Sequence, residues 1–188
     1  MGANILANLL GYEGEQCVLS AACIVQAPIK KWECSEAIRK SMYGIYDKVM
    51  GQGVNELMLR HEPTFREHFQ EKLGFDLKKK LESEKPSLLT FDDMITAPFF
   101  GYSGRDDYYN KASCVHRIPS IRIPTLFMNA LDDPIVTHKC IDYETIKANP
   151  CTVVGTTRHG GHIGYSTTLF NLESWFMQPA LDFLEAYI

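Results

Sequence analysis

No stretch of the sequence is apolar over the roughly 18 residues that a membrane-spanning helix requires. Its six cysteines include no Cys-x-x-Cys pair, which disfavours a zinc site, and we expect them to be reduced thiols, several of them buried. Basic residues are outnumbered, with 19 Lys and Arg against 23 Asp and Glu, and they form no basic stripe of the kind that binds nucleic acid. A metal protein, a nucleic-acid binder and a membrane-spanning chain are therefore all disfavoured.

The remaining features are those of an ordinary globular domain. The chain has 188 residues, of which 45% are hydrophobic and 22% charged, and about 150 residues make one domain. Three apolar runs are nearly continuous, which predicts strands covered on both faces, as in a parallel sheet. These runs cover residues 17–27, 125–130 and 151–157.

Helix-sized stretches accompany these strands. Residues 2–11 predict a short buried helix that ends at a glycine, and residues 138–148 predict a helix between the last two strands. Residues 172–188 predict a C-terminal helix whose apolar face includes Ile188. Strand, helix, strand, helix is the βαβ order, so an α/β layer sandwich is predicted. Residues 29–109 are richer in charge and aromatics, and we interpret them as a helical insertion.

Two polar segments follow the second and third predicted strands. Asp132 and Asp133 stand directly before Pro134, whereas His159 and His162 flank a Gly-Gly pair. The carboxyl ends of parallel strands line the crevice where open α/β sheets bind ligands. Taken separately, an acidic turn is typical of a helix N-cap, and a loop histidine is usually a surface residue.

Taken together, an acid and a later histidine at the ends of successive strands predict the last two members of a Ser-Asp-His arrangement. In that arrangement the carboxylate binds one imidazole nitrogen, so that the other nitrogen can accept a proton from a nucleophile. The same side chains could bind zinc, but His-x-x-His in a glycine loop lacks the helical spacing of metalloproteases. We therefore expect no metal.

Several short motifs occur, each once and in a fixed order, along almost the whole chain. They are Met1-Gly2-Ala3-Asn4-Ile5-Leu6 with Leu10-Gly11 and Glu13-Gly14, Ala27-Pro28 with Cys34-Ser35, Phe91-Asp92-Asp93, Phe100-Gly101-Tyr102, Asp107-Tyr108-Tyr109 with Ala112-Ser113, Asp132-Asp133-Pro134 and His159-Gly160-Gly161-His162-Ile163-Gly164. This series resembles the YheT/EMB8 family of α/β-hydrolases, whose animal members are the abhydrolase-domain 1, 2 and 3 proteins.

The resemblance implies a partial α/β-hydrolase fold, in which strands 6–8 of the parallel sheet form the C-terminal part of a single domain over residues 1–188. A helical cap or lid would be inserted at about 29–109. The implied activity is that of a serine hydrolase acting on carboxylic esters, with a small acyl ester or lipid as substrate and no cofactor. The implied location is cytoplasmic or membrane-associated, with any anchor lying upstream.

The resemblance also implies roles for individual residues. The acid would be Asp133 and the base His162, whereas Asp132 is expected to cap the turn. Aromatic side chains of the middle segment would be candidates to line an acyl pocket: Trp32, Tyr43, Phe99, Phe100 and Tyr102.

The nucleophile of this family is the serine of a Gly-x-Ser-x-Gly motif. Met1 and Gly2 resemble the last two residues of that motif, which implies a chain that begins just after the serine. The backbone N–H of Met1 would then occupy the position of an oxyanion-hole donor. The alternative interpretation is a catalytically silent fragment or a non-catalytic binding module.

Other nucleophiles within the chain are poor candidates. Ser103 stands in a Gly-Tyr-Ser-Gly-Arg segment, where Arg105 replaces the second glycine and no clear strand precedes the serine. Ser35 is expected to begin a helix. Nothing in the sequence places a base beside Cys34 or Cys114.

Overall fold

The computed structural model describes residues 1–168 and 171–187, and it describes residues 166–168 and 171–173 by their backbone alone. The strands are β1 (Ala22–Val25), β2 (Thr125–Ala130), β3 (Thr152–Thr157), β4 (Ser166–Thr168) and β5 (Asn171–Ser174). The helices are α1 (Gly2–Glu13), α2 (Lys31–Lys40), α3 (Ile45–Leu73), α4 (Leu77–Ser83), α5 (Leu88–Phe91), α6 (Ala97–Phe99), α7 (Arg105–Lys111), α8 (Tyr143–Ala148) and α9 (Met177–Glu185). The chain divides into two compact units, Met1–Ala37 with Ala112–Ile188 and Ile38–Lys111.

A parallel sheet with the strand order β1-β2-β3 forms the centre of the first unit. The register pairs Ala22 with Thr125 and Thr125 with Thr152, so the three strands begin at the same edge. Their carboxyl ends consequently meet at the opposite edge, where the turn after β2 and the loop after β3 begin. The predicted α/β class with parallel strands is confirmed.

One face of this sheet belongs to the hydrophobic core of the first unit. Ile24 of β1 and Phe127 of β2 are almost fully buried in the same cluster as Leu10 of α1 and Ile146 of α8. Burying a side chain of this size stabilises the fold by about 1.5–3 kcal/mol. This packing holds the strand ends in fixed relative positions.

The predicted strands agree with the structure to different degrees. β2 occupies the predicted residues, and β3 begins one residue later than predicted, at Thr152. The strand predicted over residues 17–27 is shorter in the structure, where β1 covers only Ala22–Val25. Val18 is 95% exposed, so an apolar run at this point does not mean a buried strand.

The predicted helices near the ends of the chain also needed correction. The first helix continues past Gly11 to Glu13, and Gly14, with a φ of 54°, ends it. Residues 171–174 form β5, so the last helix begins at Met177 and not at residue 172. Ile188 lies outside the described residues.

The predicted helix at 138–148 is interrupted. His138–Cys140 forms a 3₁₀ turn, and α8 begins after Asp142. The carboxylate of Asp142 accepts a hydrogen bond from the backbone N–H of Thr145 at 3.0 Å. This N-cap satisfies one of the free N–H groups of the first helical turn, which explains why the helix starts there.

The second unit, Ile38–Lys111, consists of helices and turns, and the insertion at about 29–109 stays a prediction. Two of the motifs that carry the family resemblance meet inside it. The hydroxyl of Tyr109 donates to Oδ2 of Asp92 at 2.7 Å, and Thr96 donates to Oδ1 at 2.7 Å. These motif residues therefore serve the internal packing of the unit. Its role as a cap over the site stays a prediction.

Among the described residues, no helix combines the length and apolarity needed to cross a bilayer.

An ion pair joins the loop after β1 to the start of α8. Nζ of Lys30 lies 2.8 Å from Oδ2 of Asp142. Burial opposes ionisation of this carboxyl group, but the hydrogen bonds from Lys30 and Thr145 outweigh it and lower the pKa of Asp142. The ionised carboxylate therefore stabilises the folded chain.

We expect Asp142→Asn to lower the free energy of unfolding near neutral pH by at most about 1 kcal/mol. The amide oxygen can still cap α8, but the ion pair with Lys30 is lost. Because the pKa is lowered on folding, the contribution exists above the ordinary carboxyl pKa and disappears as the pH falls through the folded-state pKa. Urea unfolding of both proteins between about pH 7 and about pH 2 checks this. If the difference in the free energy of unfolding between the two proteins stayed constant over this pH range, the predicted contribution of the ionised carboxylate would be wrong.

Candidate active site

Asp133 lies in the turn that follows β2, and none of its side chain is exposed. Its Oδ1 accepts hydrogen bonds from the backbone N–H groups of Ile135 at 2.7 Å and Val136 at 2.8 Å. Pro134, which directly follows Asp133, has no N–H, so the first two N–H groups after Asp133 both donate to the same oxygen. An unpaired buried carboxylate would be costly, and these bonds leave Oδ2 for one further donor.

That further donor is His162. Its Nδ1 lies 2.8 Å from Oδ2 of Asp133, and a third of its side chain (33%) is exposed. An ionised carboxylate can only accept hydrogen bonds, so Nδ1 carries the proton and Nε2 is left as an acceptor. The structure thus brings together the two residues that the sequence singled out.

The loop between β3 and β4 is shaped by Gly160 and Tyr165. The backbone N–H of Tyr165 donates to the carbonyl of Gly160 at 2.9 Å, which closes the loop on itself. A Cβ on Gly160 would lie 2.7 Å from the ring carbons of Tyr165 and 2.9 Å from Cβ of Ala130, so a side chain cannot be accommodated. The loop consequently runs directly over the end of β2.

Tyr165 itself was not singled out by sequence reasoning. The residue is 4% exposed, and burial raises the pKa of its hydroxyl to about 12. Its carbonyl accepts from the N–H of Trp175 at 3.0 Å, and its ring lies 5.2 Å from that of Phe176. Tyr165 therefore holds the far end of the histidine loop against the segment that leads into α9.

Asp132 makes a different set of contacts from the one predicted. Its Oδ1 accepts from the backbone N–H of Gly161 at 2.9 Å, and its Oδ2 lies 3.3 Å from Nδ1 of His159. The bond from Gly161 lowers the pKa of Asp132. The prediction that Asp132 caps the turn was wrong, because Asp133 performs that role as well as binding the histidine. His159 is 89% exposed, so its pairing with Asp132 is a surface contact.

Gln26 is a further buried polar residue that sequence reasoning missed. It follows β1, is 3% exposed, and donates from Nε2 to the carbonyl of Gly161 at 2.6 Å. A single glutamine at the end of an apolar strand was the available signal, since a buried amide requires partners.

The serines considered as nucleophiles have other partners. Ser103 is exposed in the turn between α6 and α7, and its N–H donates to Oδ2 of Asp107 at 3.1 Å. No strand leads into it, as a nucleophile elbow requires. Ser35 lies inside α2 and not at its start, contrary to the prediction, and its hydroxyl donates to the carbonyl of Trp32 at 2.8 Å.

The thiols considered as nucleophiles are unsuited to the role. A hydrogen bond with Cys140, together with burial, raises the pKa of Cys34. Burial raises the pKa of Cys114 to about 12. A nucleophilic cysteine needs the opposite shift, because the thiolate is the reactive form. All six cysteines are free thiols in the structure.

The roles of Met1 as an oxyanion-hole donor and of the aromatic side chains as the lining of an acyl pocket remain predictions. Met1 precedes α1, and its carbonyl accepts from the N–H of Asn4 at 3.1 Å, but no contact assigns its nitrogen to an oxyanion hole. Tyr43 and Phe100 are exposed, and the ring of Phe99 stacks on that of Phe69 at 4.6 Å. In residues 1–168 and 171–187, no three His, Cys, Asp or Glu side chains are arranged to hold a metal ion.

Comparison with known proteins yields relatives along the whole chain. The monoacylglycerol lipase of Saccharomyces cerevisiae (strain ATCC 204508 / S288c) is 30% identical over 192 residues, which cover 100% of this chain and 41% of the lipase. Phospholipase ABHD3 of Mus musculus is 30% identical over 190 residues, covering 100% of this chain and 44% of ABHD3. YheT of Escherichia coli (strain K12), a candidate esterase, is 31% identical over 189 residues, covering 100% of this chain and 54% of YheT.

The chain spans about half the length of these relatives. No family model matches it, and no solved structure matches it either. The relatives nevertheless share a type of name, since they include a lipase, a phospholipase and a candidate esterase. The chain is therefore homologous to YheT along its whole length and to the embryogenesis-associated protein EMB8 of Picea glauca over 88% of its length, and its parallel sheet is part of an α/β-hydrolase fold.

Proposed function

We propose that this protein is a hydrolase of carboxylic esters in which Asp133 is the orienting acid and His162 the general base. One observation carries the proposal: the 2.8 Å contact between Oδ2 of Asp133 and Nδ1 of His162 at the carboxyl ends of neighbouring parallel strands. The acid is buried while the imidazole is partly exposed. A structural ion pair has no need of an exposed nitrogen, whereas a general base does.

The proposed reaction needs one nucleophilic hydroxyl within reach of Nε2 of His162. As the hydroxyl oxygen bonds to the acyl carbon, Nε2 takes its proton and Asp133 stabilises the resulting imidazolium. The imidazolium then gives the proton to the departing alcohol, which leaves an acyl-enzyme. Water repeats the sequence through the same base and releases the carboxylic acid.

Within the described part of the chain, no serine or cysteine side chain is hydrogen-bonded to His162 in the structure. We infer that the nucleophile is a serine carried by residues beyond this sequence, since the relatives are about twice as long. The names of those relatives, which include a monoacylglycerol lipase and a phospholipase, support acyl esters or lipids as the substrate class.

We expect His162→Gln and Asp133→Asn, made in the product of the complete coding sequence, each to lower kcat for ester hydrolysis by about 10³-fold or more. The first removes the base, and the second leaves the imidazole without its ionic partner. Initial rates with p-nitrophenyl esters of short, medium and long acyl chains measure the effect.

Two further substitutions serve as controls. His159→Gln changes the exposed histidine of the same loop, and Asp142→Asn changes the carboxylate that caps α8 and pairs with Lys30. Both should stay within about twofold of the wild-type rate. Equal losses in the control and test variants, or full activity in either test variant, would reject the assignment of the acid and base.

Labelling with a fluorophosphonate probe tests the nucleophile separately. We expect the product of the complete coding sequence to be labelled at one serine and the 188-residue chain alone to remain unlabelled. Mass spectrometry of the labelled peptide identifies the serine. Labelling of the 188-residue chain at Ser103 would show that the nucleophile lies inside it. A complete product that neither hydrolyses esters nor reacts with the probe would overturn the proposed function.

A further inference from the structure

The peptide of Gly161, directly before the histidine, is held from both sides by side chains. Its N–H donates to Oδ1 of Asp132 at 2.9 Å, and its carbonyl accepts from Nε2 of Gln26 at 2.6 Å. Asp132 follows β2 and Gln26 follows β1, so the loop after β3 is attached to the ends of both other strands. Gly161 has a φ of 54°, which glycine adopts without strain, and it has no side chain of its own to fix the loop.

The side-chain amide of Gln26 is hydrogen-bonded at both its nitrogen and its oxygen. Its Oε1 accepts from the backbone N–H of Ala130 at 3.2 Å and from Nδ2 of Asn129 at 3.2 Å. The backbone N–H of Ala130 can only donate and the carbonyl of Gly161 can only accept, so the orientation of the amide is determined. Every other orientation would leave buried polar groups without partners.

Gln26 also adopts a strained backbone conformation. Its φ of 52° lies in the left-handed region, which costs a residue with a side chain about 1 kcal/mol or more. The bonds made by its amide offset this cost. Backbone strain at a buried residue that contacts the loop of the predicted base points to a role in the site.

We propose that Gln26 and Asp132 are positioning residues that hold the Gly161 peptide and thereby aim the imidazole of His162 at Asp133. The two consecutive carboxylates then have different roles: Asp132 binds the backbone of the loop at Gly161, and Asp133 binds the side chain of His162. The catalytic consequence rests on the proposed function. The effect on the geometry of His162 does not, so it can be measured without turnover.

The structural test uses proton NMR of the product of the complete coding sequence. The hydrogen bond to a buried carboxylate deshields an imidazole proton and slows its exchange with water, so the proton resonates far downfield, and the Nδ1–H of His162 is identified by its absence in His162→Gln. We expect this resonance in the wild type and its loss through rapid exchange in Gln26→Gly and Gln26→Glu. Glycine suits the positive φ, and glutamate keeps the acceptor but loses the donor to Gly161, so neither variant should unfold the chain.

Asn149 provides the matched control at the opposite end of the sheet. It is another buried amide that bridges three backbone groups, donating to the carbonyls of Ile118 and Ile121 and accepting from the N–H of Cys151. Asn149→Ala should lower stability but leave the His162 resonance in place. Loss of the resonance in this variant too would mean that general destabilisation explains the result, and would overturn the proposal.

The catalytic test uses the product of the complete coding sequence. Both Gln26 variants should lose about 10²-fold in kcat with KM nearly unchanged, because a misplaced base affects the chemical step and not substrate binding. Asp132→Ala should lose about tenfold, the equivalent of one hydrogen bond. Asp132→Asn should recover most of that loss, because an amide oxygen accepts from Gly161 as well as a carboxylate does.

The two proposals fail in distinguishable ways. If the wild type does not hydrolyse esters but the resonance depends on Gln26, the proposed function is wrong and the positioning role stands. If the resonance is unchanged in both Gln26 variants, the positioning role is wrong whatever the wild-type activity.

Discussion

The bond between the buried carboxylate of Asp133 and the imidazole of His162 is the interaction on which the rest of the site depends. A carboxylate removed from water must have both oxygens paired, or it costs several kcal/mol. Here one oxygen is paired by its own turn and the other by a side chain from a different strand end. The buried carboxylate after β2 is therefore satisfied only when the histidine after β3 is in place. Burial of Asp133 thus makes its bond to His162 a required feature of the fold.

Parallel pairing is what makes such a contact between strand ends possible. Because Ala130 pairs with Thr157, β2 and β3 finish at the same height, and the segments that follow them start side by side. The ring of Tyr165 covers Gly160 at this point, which keeps the loop close to the sheet. The core beneath, with Phe127 fully buried, prevents the strands from sliding relative to each other. The precision of the site thus derives from packing that lies outside it.

Much of this arrangement could be predicted from the sequence because it depends on local patterns. Residues 125–130 are apolar and bounded by Pro124, and they form the strand predicted for them. Residues 17–20 are as apolar but remain outside the sheet, because pairing and not composition decides where a strand begins. The different roles of Asp132 and Asp133 depend on loop atoms from distant residues. The role of Gln26 could not be predicted for the same reason, since both ends of its amide contact residues more than a hundred positions away in the sequence.

The adjacency of Asp132 and Asp133 has an evolutionary consequence. One carboxylate contacts the main chain of the facing loop and the next contacts its imidazole, so the two functions are one residue apart along the chain. Adding or deleting a residue between β2 and this pair would shift both acids by one position and separate each from its present partner. Homologous genes should consequently accumulate length variation elsewhere, for example around the exposed Val18, and preserve the number of residues in this turn.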